Sequence, residues 1–206
     1  FYQTADGQEF WTQVGNINPN SRQLGMIYHK QSSRFSIVAD SLYRPVHTSF
    51  ADLNGDEQED FIVSEFGHRL GRITWHEQTD DGYEQHILTT VPGAIRTIIT
   101  DWEADGDADI LALMGQGNEG VFLYENDGTG DFQSRQLLQF QSVYGSSDFE
   151  YLDMNGNGRK DILYVNGDNA DYSRVPKAFH GVRIFEQSEA GTFEEKNSIY
   201  NTIHDE

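Results

Sequence analysis

Apolar residues along this chain come in short runs rather than in long stretches with helical spacing. Phe61-Ile62-Val63, Ile110-Leu111-Ala112-Leu113 and Ile162-Leu163-Tyr164-Val165 are each three or four residues long. Each is closely preceded by another short run, such as Ile98-Ile99-Thr100 or Phe149-Glu150-Tyr151-Leu152. Runs of this length, bounded by Asp, Asn and Gly, predict β-strands. Between the paired runs lies a nine-residue polar stretch. The three stretches are Asp52–Asp60, Asp101–Asp109 and Asp153–Asp161, starting 49 and 52 residues apart. Strand, acidic turn, strand is therefore the repeating unit.

The repeat continues downstream. A Gly is followed four residues later by an aromatic and eight residues after that by another, giving Gly71/Trp75/Tyr83, Gly120/Tyr124/Phe132 and Gly181/Phe185/Phe193. Third strands are expected over Arg72–Glu77, Val121–Glu125 and Val182–Glu186. After a turn rich in Asp, Gly, Ser and Thr, fourth strands are expected near Tyr83–Leu88, Phe132–Leu138 and Phe193–Ile199. An earlier, partial copy is visible in Gly25, Tyr28 and Phe35.

Four short strands in about 50 residues is the pattern of a β-propeller blade. A β-sandwich also uses many short strands, but gives no reason for one acidic loop per period. The fold class is thus all-β, with blades of four antiparallel strands. About three complete blades and a partial one are expected, as part of a larger propeller. The chain reads as a single β-propeller region over 1–206, divided into a partial blade over 1–44 and blades over 45–92, 93–144 and 145–206. The last carries an insertion at 166–180. An open ring leaves strand edges exposed, so further blades of the same protein, or another subunit, are expected to cover them.

The three stretches have the form D-x-[NE]-x-[DN]-x-x-x-D followed by an apolar strand. In this they resemble the FG-GAP/VCBS repeats of integrin-type propellers, over residues 24 to 200. The run Gly167-Asp168-Asn169-Ala170-Asp171-Tyr172-Ser173, with His180-Gly181-Val182 after it, resembles bacterial secreted VCBS-repeat proteins, some of which are fused to c-type cytochromes.

Oxygen ligands at positions 1, 3, 5, 7 and 9 of a tight loop suit calcium, a hard cation that takes six to eight oxygens. Loop one offers Asp52, Asn54, Asp56, the Gln58 carbonyl and Asp60. Loop two offers Asp101, Glu103, Asp105, Asp107 and Asp109, and loop three Asp153, Asn155, Asn157, the Arg159 carbonyl and Asp161. No His or Cys of the kind preferred by transition metals is present in them. The twelfth positions, Val63, Ala112 and Tyr164, rule out an EF-hand. Asp, Asn and Gly also dominate metal-free turns, but three copies at a near-constant period favour two to three structural Ca²⁺ ions. Loops one and two are expected to bind more strongly than loop three, where Arg159 and Lys160 offset the two carboxylates.

Composition sharpens this picture. There are 34 acidic and 14 basic side chains, a net charge of −20, and 12 of the acids fall in the 27 loop positions. Such a balance argues against nucleic acid and anionic membrane surfaces, and no apolar run is long enough for insertion into a bilayer. The absence of Cys excludes disulfides, thiolate metal sites and a cysteine nucleophile. No nucleophile elbow, P-loop, zinc-protease helix or dinucleotide fingerprint appears, so no catalytic residue is assigned. Loops joining strands two and three should lie on the face opposite the acidic loops. On that face Asp168, Asn169, Asp171, Tyr172 and His180 are candidate ligand-binding residues.

The functional expectation is a secreted or periplasmic, non-catalytic calcium-binding module for a protein or glycan partner. Millimolar calcium outside cells suits such loops. The alternatives are the propeller domain of a carbohydrate-active lyase or hydrolase, which a central cluster of His, Arg and carboxylates would favour, and a partner module of a c-type cytochrome system.

Overall fold

The computed structural model describes residues 1–4, 7–17, 23–167, 180–196 and 198–200. It is all-β. Strands β1 (Tyr2–Gln3), β2 (Glu9–Gln13), β3 (Gly25–Gln31) and β4 (Arg34–Leu42) make the first sheet. The second is β5 (Pro45–Ala51), β6 (Asp60–Glu65), β7 (Arg72–Thr79) and β8 (Gly82–Thr89). The third is β9 (Ala94–Thr100), β10 (Asp109–Met114), β11 (Gly120–Asn126) and β12 (Phe132–Gln139). The fourth is β13 (Ser146–Leu152), β14 (Asp161–Asn166), β15 (Gly181–Gln187) and β16 (Phe193–Glu195), with β17 (Ile199–Tyr200) also paired to β15. All four are antiparallel meanders, the architecture of propeller blades, and the described residues form no closed ring. Residues 1–44, expected to hold part of a blade, form a sheet whose first strand has only two residues.

Sheets stack face to face, so β6 and β10, the second strands of the two middle sheets, are buried on both sides. Along β10, Ile110, Ala112 and Met114 join a core shared with the second sheet, while Leu111 and Leu113 join one shared with the fourth. Along β6, Phe61 and Val63 face the first sheet and Ile62 the third. This two-residue alternation is what turns a continuous apolar run into a strand with two buried faces. Each fully buried Ile or Leu contributes about 1.5–3 kcal/mol.

One element of the expected repeat shifts. Phe61 pairs with His76, Ile110 with Tyr124 and Ile162 with Phe185. His76, not Trp75, therefore occupies the place of Tyr124 and Phe185. The cause is one extra residue between β6 and β7. Gly71 closes that turn through its N–H to the Gly67 carbonyl (3.0 Å) instead of opening the strand. A one-residue shift sends the side chain to the other face, and Trp75 accordingly enters the core shared with the third sheet. His76 stacks on Phe61 at 4.6 Å, as His29 stacks on Phe10 at 4.7 Å in the first sheet.

A bulge recurs near the start of the first strand in the last three sheets, between Pro45 and His47, Ala94 and Arg96, and Ser146 and Asp148. Register then places His47, Arg96 and Asp148 at equivalent positions. Arg96 bonds Asp148 (2.7 Å), Glu150 (2.8 Å) and the Phe149 carbonyl (3.0 Å), tying the third sheet to the fourth. The Thr97 N–H donates to His47 Nδ1 at 3.4 Å, tying the third to the second. The second sheet also buries an ionic knot. Glu65, fully buried, accepts from Arg72 Nε (2.7 Å), Thr74 Oγ1 (3.0 Å) and the Tyr43 N–H.

Burial, helped by the Arg96 charge, lowers the His47 pKa to about 4. Between that value and ~6.5 the unfolded chain binds the proton and the fold does not. The stability His47 contributes is therefore complete above pH 6.5 and falls as pH drops toward 4. In urea titrations, His47→Gln should reduce the loss of stability between pH 7 and 4 by roughly 1–3 kcal/mol. An unchanged pH slope would contradict this assignment.

Candidate metal centre

The three acidic loops connect first to second strands at one end of their sheets. Their backbone paths match. Positions 4 and 6 have positive φ in every copy: Gly55 and Glu57, Ala104 and Gly106, Gly156 and Gly158. Gly adopts this conformation freely, whereas Glu57 and Ala104 do so at a steric cost. The position-1 aspartate organises the turn. Asp52 accepts from the N–H groups of Gly55 (2.8 Å), Asp56 (3.2 Å) and Glu57 (2.8 Å). Asp153 repeats this with Gly156 (2.7 Å), Asn157 (3.2 Å) and Gly158 (2.8 Å). The same bonds hold the Asp153 carboxyl below its ordinary pKa. Asp101 accepts from Asp105 (3.1 Å) and Gly106 (3.2 Å).

Asn54 and Asn155 at position 3 and Asp56, Asp105 and Asn157 at position 5 each accept a backbone N–H two residues on. Glu103 cannot close so short a ring and turns toward Glu125 on β11. Desolvation, then the hydrogen bond with Glu125 and the charge of Asp109, raise its pKa to about 7. Asp107 is also raised, by desolvation and by Asp105, Asp109, Asp101 and Asp127. Loop two thus carries more negative charge than its neighbours offset.

The position-9 aspartates have a second job that a ligand reading does not convey. Asp60, Asp109 and Asp161 are fully buried. Asp109 Oδ2 accepts from the Trp102 N–H (2.6 Å) and Oδ1 from the Asn126 N–H (2.9 Å). Asp60 binds Leu53 (3.2 Å) and Gln78 (2.7 Å) in the same way, and Asp161 binds Met154 (3.2 Å) and Gln187 (3.0 Å). Each carboxylate therefore clamps the start of its own loop to the end of the third strand. In loop three the two cations point elsewhere. Arg159 Nε donates to the Gln187 carbonyl at 3.0 Å, and Lys160 Nζ reaches Thr100 Oγ1 of the preceding sheet at 3.1 Å. Gln58 bonds Asp56 through its own side chain at 3.0 Å.

The donor chemistry fits calcium. Oxygen is the only donor type at the five expected positions, and carboxylates that accept one backbone N–H keep further lone pairs. Among the described residues, three His or carboxylate ligand atoms come within 4.8 Å of one another only at Glu77, Glu84 and His86. Sequence reading missed that set and the partner role of Glu125, because both lie on third and fourth strands, far from the loops in the chain.

On the opposite end, Phe66, Gly115, Gln116, Glu119 and Ser146 line a shallow groove with Arg44. The Arg44 guanidinium lies 4.8 Å over the Phe66 ring. Successive connections there are knitted by Gly93 N–H to the Phe66 carbonyl (3.0 Å) and Gly115 N–H to the Gly93 carbonyl (2.7 Å). Asn166 pairs with Gly181, so the 166–180 insertion leaves from this end. His180 is partly buried beside Gly167. Asp168, Asn169, Asp171 and Tyr172 lie outside the described residues.

Fold and loops together define a β-propeller-type repeat protein. The family model for an FG-GAP-like repeat matches residues 101–164, from the first aspartate of loop two into β14. None of the curated proteins matches the chain.

If position 9 is a clamp, its loss destabilises the fold whether or not calcium is bound. Asp109→Ala strands two N–H groups, each worth about 1–3 kcal/mol when buried and unsatisfied. Urea unfolding in chelator should show a loss of that order for Asp109→Ala and little change for Asp105→Ala. Equal effects would remove the distinction.

Proposed function

We propose that this chain is a calcium-stabilised, propeller-type binding module acting outside the cell or in the periplasm. It holds a protein or glycan partner without transforming it. The observation that carries the reading is the threefold recurrence of one loop geometry with oxygen donors alone. Asp52, Asn54, Asp56, the Gln58 carbonyl and Asp60 would hold one ion. Asp101, Glu103, Asp105, Asp107 and Asp109 would hold a second, and Asp153, Asn155, Asn157, the Arg159 carbonyl and Asp161 a third. Bound calcium supplies charge neutralisation and a cross-link within the loop, while the buried aspartates hold the blade behind it. The groove containing Arg44, Phe66 and Gln116 is the surface offered to the partner. The match to an FG-GAP-like repeat supports a binding role of this kind, and the lack of disulfides leaves calcium as the cross-linker.

A thermal melt in millimolar calcium and in chelator tests the reading. Binding at a hundredfold excess over Kd adds about 2.7 kcal/mol per site, equivalent to a Tm rise of roughly 5–10 °C for a chain of this size. Asp56→Asn and Asp105→Asn should reduce the rise more than Asn157→Ala. Superimposable melts would overturn the calcium assignment.

One observation favours a carbohydrate-active enzyme as a second reading. His47, Arg96, Asp148 and Glu150 gather His, Arg and carboxylates on first strands away from the acidic loops. The bonds of Arg96 to Asp148 and Glu150, and of His47 to Thr97, account for them as an inter-sheet lock. Wild-type protein incubated with neutral and acidic polysaccharides should release neither reducing ends nor unsaturated products. Release that His47→Gln abolishes would establish the enzyme reading instead.

A further inference from the structure

The hairpin β7–β8 carries a cluster that touches acidic loop one only through Asn54 and takes no part in the groove. Glu77 lies directly opposite Glu84. His86, two residues beyond Glu84, projects from the same face of its strand. One ligand atom from each of the three falls within 4.8 Å of the others, and His86 Nε2 stands 2.8 Å from Glu77 Oε2. Neighbours hold the set in place. Trp75 stacks on the imidazole at 4.5 Å. Asn54 Nδ2 donates to Glu77 Oε1 at 3.0 Å, which leaves Oε2 turned toward His86.

The other sheets show what is particular here. By register, Glu125 and Glu186 are the counterparts of Glu77, and Gln133 and Glu194 those of Glu84. Arg135 and Lys196 stand where His86 does. Arg135 pairs with Glu125 at 2.9 Å, and Lys196 with Glu194 at 2.8 Å. Two sheets thus place a permanent cation beside these strand-three and strand-four positions. The second sheet, like the fourth, opposes two glutamates, an unfavourable cross-strand pair, but sets beside them a side chain that can ligate a metal where Arg and Lys cannot.

We propose that Glu77, Glu84 and His86 form a site for a divalent transition metal of the zinc class, distinct from the acidic loops. One imidazole nitrogen and two carboxylates are a three-ligand set that leaves a position open to water. Calcium and magnesium prefer oxygen alone. Ligands at about 2.0–2.2 Å from a tetrahedral ion lie ~3.3 Å apart, which rotation of the exposed Glu84 side chain achieves on a fixed hairpin. Trp75 and Asn54 would then act as the supports that orient ligating side chains.

Calorimetric titration of Zn²⁺ into the full chain, with calcium held at a constant millimolar level, tests the site. Wild-type protein should take up one zinc that His86→Gln binds at least tenfold more weakly, with Glu84→Gln also weakened. Asp105→Asn, in an acidic loop, should leave the isotherm unchanged. Circular dichroism without zinc verifies that the variants fold. Uptake by His86→Gln equal to that of wild type, or no uptake by wild type, would overturn the site.

Discussion

The buried aspartate that ends each acidic loop is the constraint on which the rest of the structure depends. A carboxylate taken out of water must find hydrogen-bond partners or lose its charge. Asp60, Asp109 and Asp161 each find two backbone N–H groups that no strand ladder uses, one at the loop entrance and one at the end of the third strand. Burial still raises the Asp60 pKa, and the Gln78 and Leu53 N–H groups oppose it. Because both donors belong to the same sheet, one side chain fixes the length of the loop, the position of the second strand and the end of the third.

Once that geometry is set, the remaining loop residues are free to serve the surface. Asp52, Asp101 and Asp153 fold the turn over N–H groups, and positions 3 and 5 present oxygens to solvent. Loop two shows the tension most plainly. Its Glu103 reaches Glu125, a neighbour already engaged by Arg135, and keeps a raised pKa as a result. On the calcium proposal, a cation bound there would offset that charge. Within nine residues, depth of burial thus separates the aspartate that holds the blade from those turned to the surface.

Much of this was legible in the sequence. The period of the loops, the strands around them and the four-strand unit follow from short apolar runs bounded by Asp, Asn and Gly. The division of labour among the aspartates was not, since Asp60 and Asp56 look alike until burial separates them. The spacing from Gly71 to Trp75 imitated the repeat and concealed a one-residue shift, which only the pairing of Phe61 with His76 exposes. Glu77, Glu84 and His86 were equally hidden. Surface strands of an acidic protein are full of glutamates, and only register brings these three side chains together.

The net charge of −20 acquires a structure from this account: part of it is buried and hydrogen-bonded, and part is displayed in loops that suit a hard cation. Amide hydrogen exchange followed by NMR in chelator tests the division most directly. The N–H groups of Leu53, Gln78, Trp102, Asn126, Met154 and Gln187 should exchange slowly, at the rate of the sheet cores, while those of Asp56, Asp105 and Asn157 exchange fast. Uniformly fast exchange at all nine would contradict it, because the aspartates would then be loop ligands and nothing more.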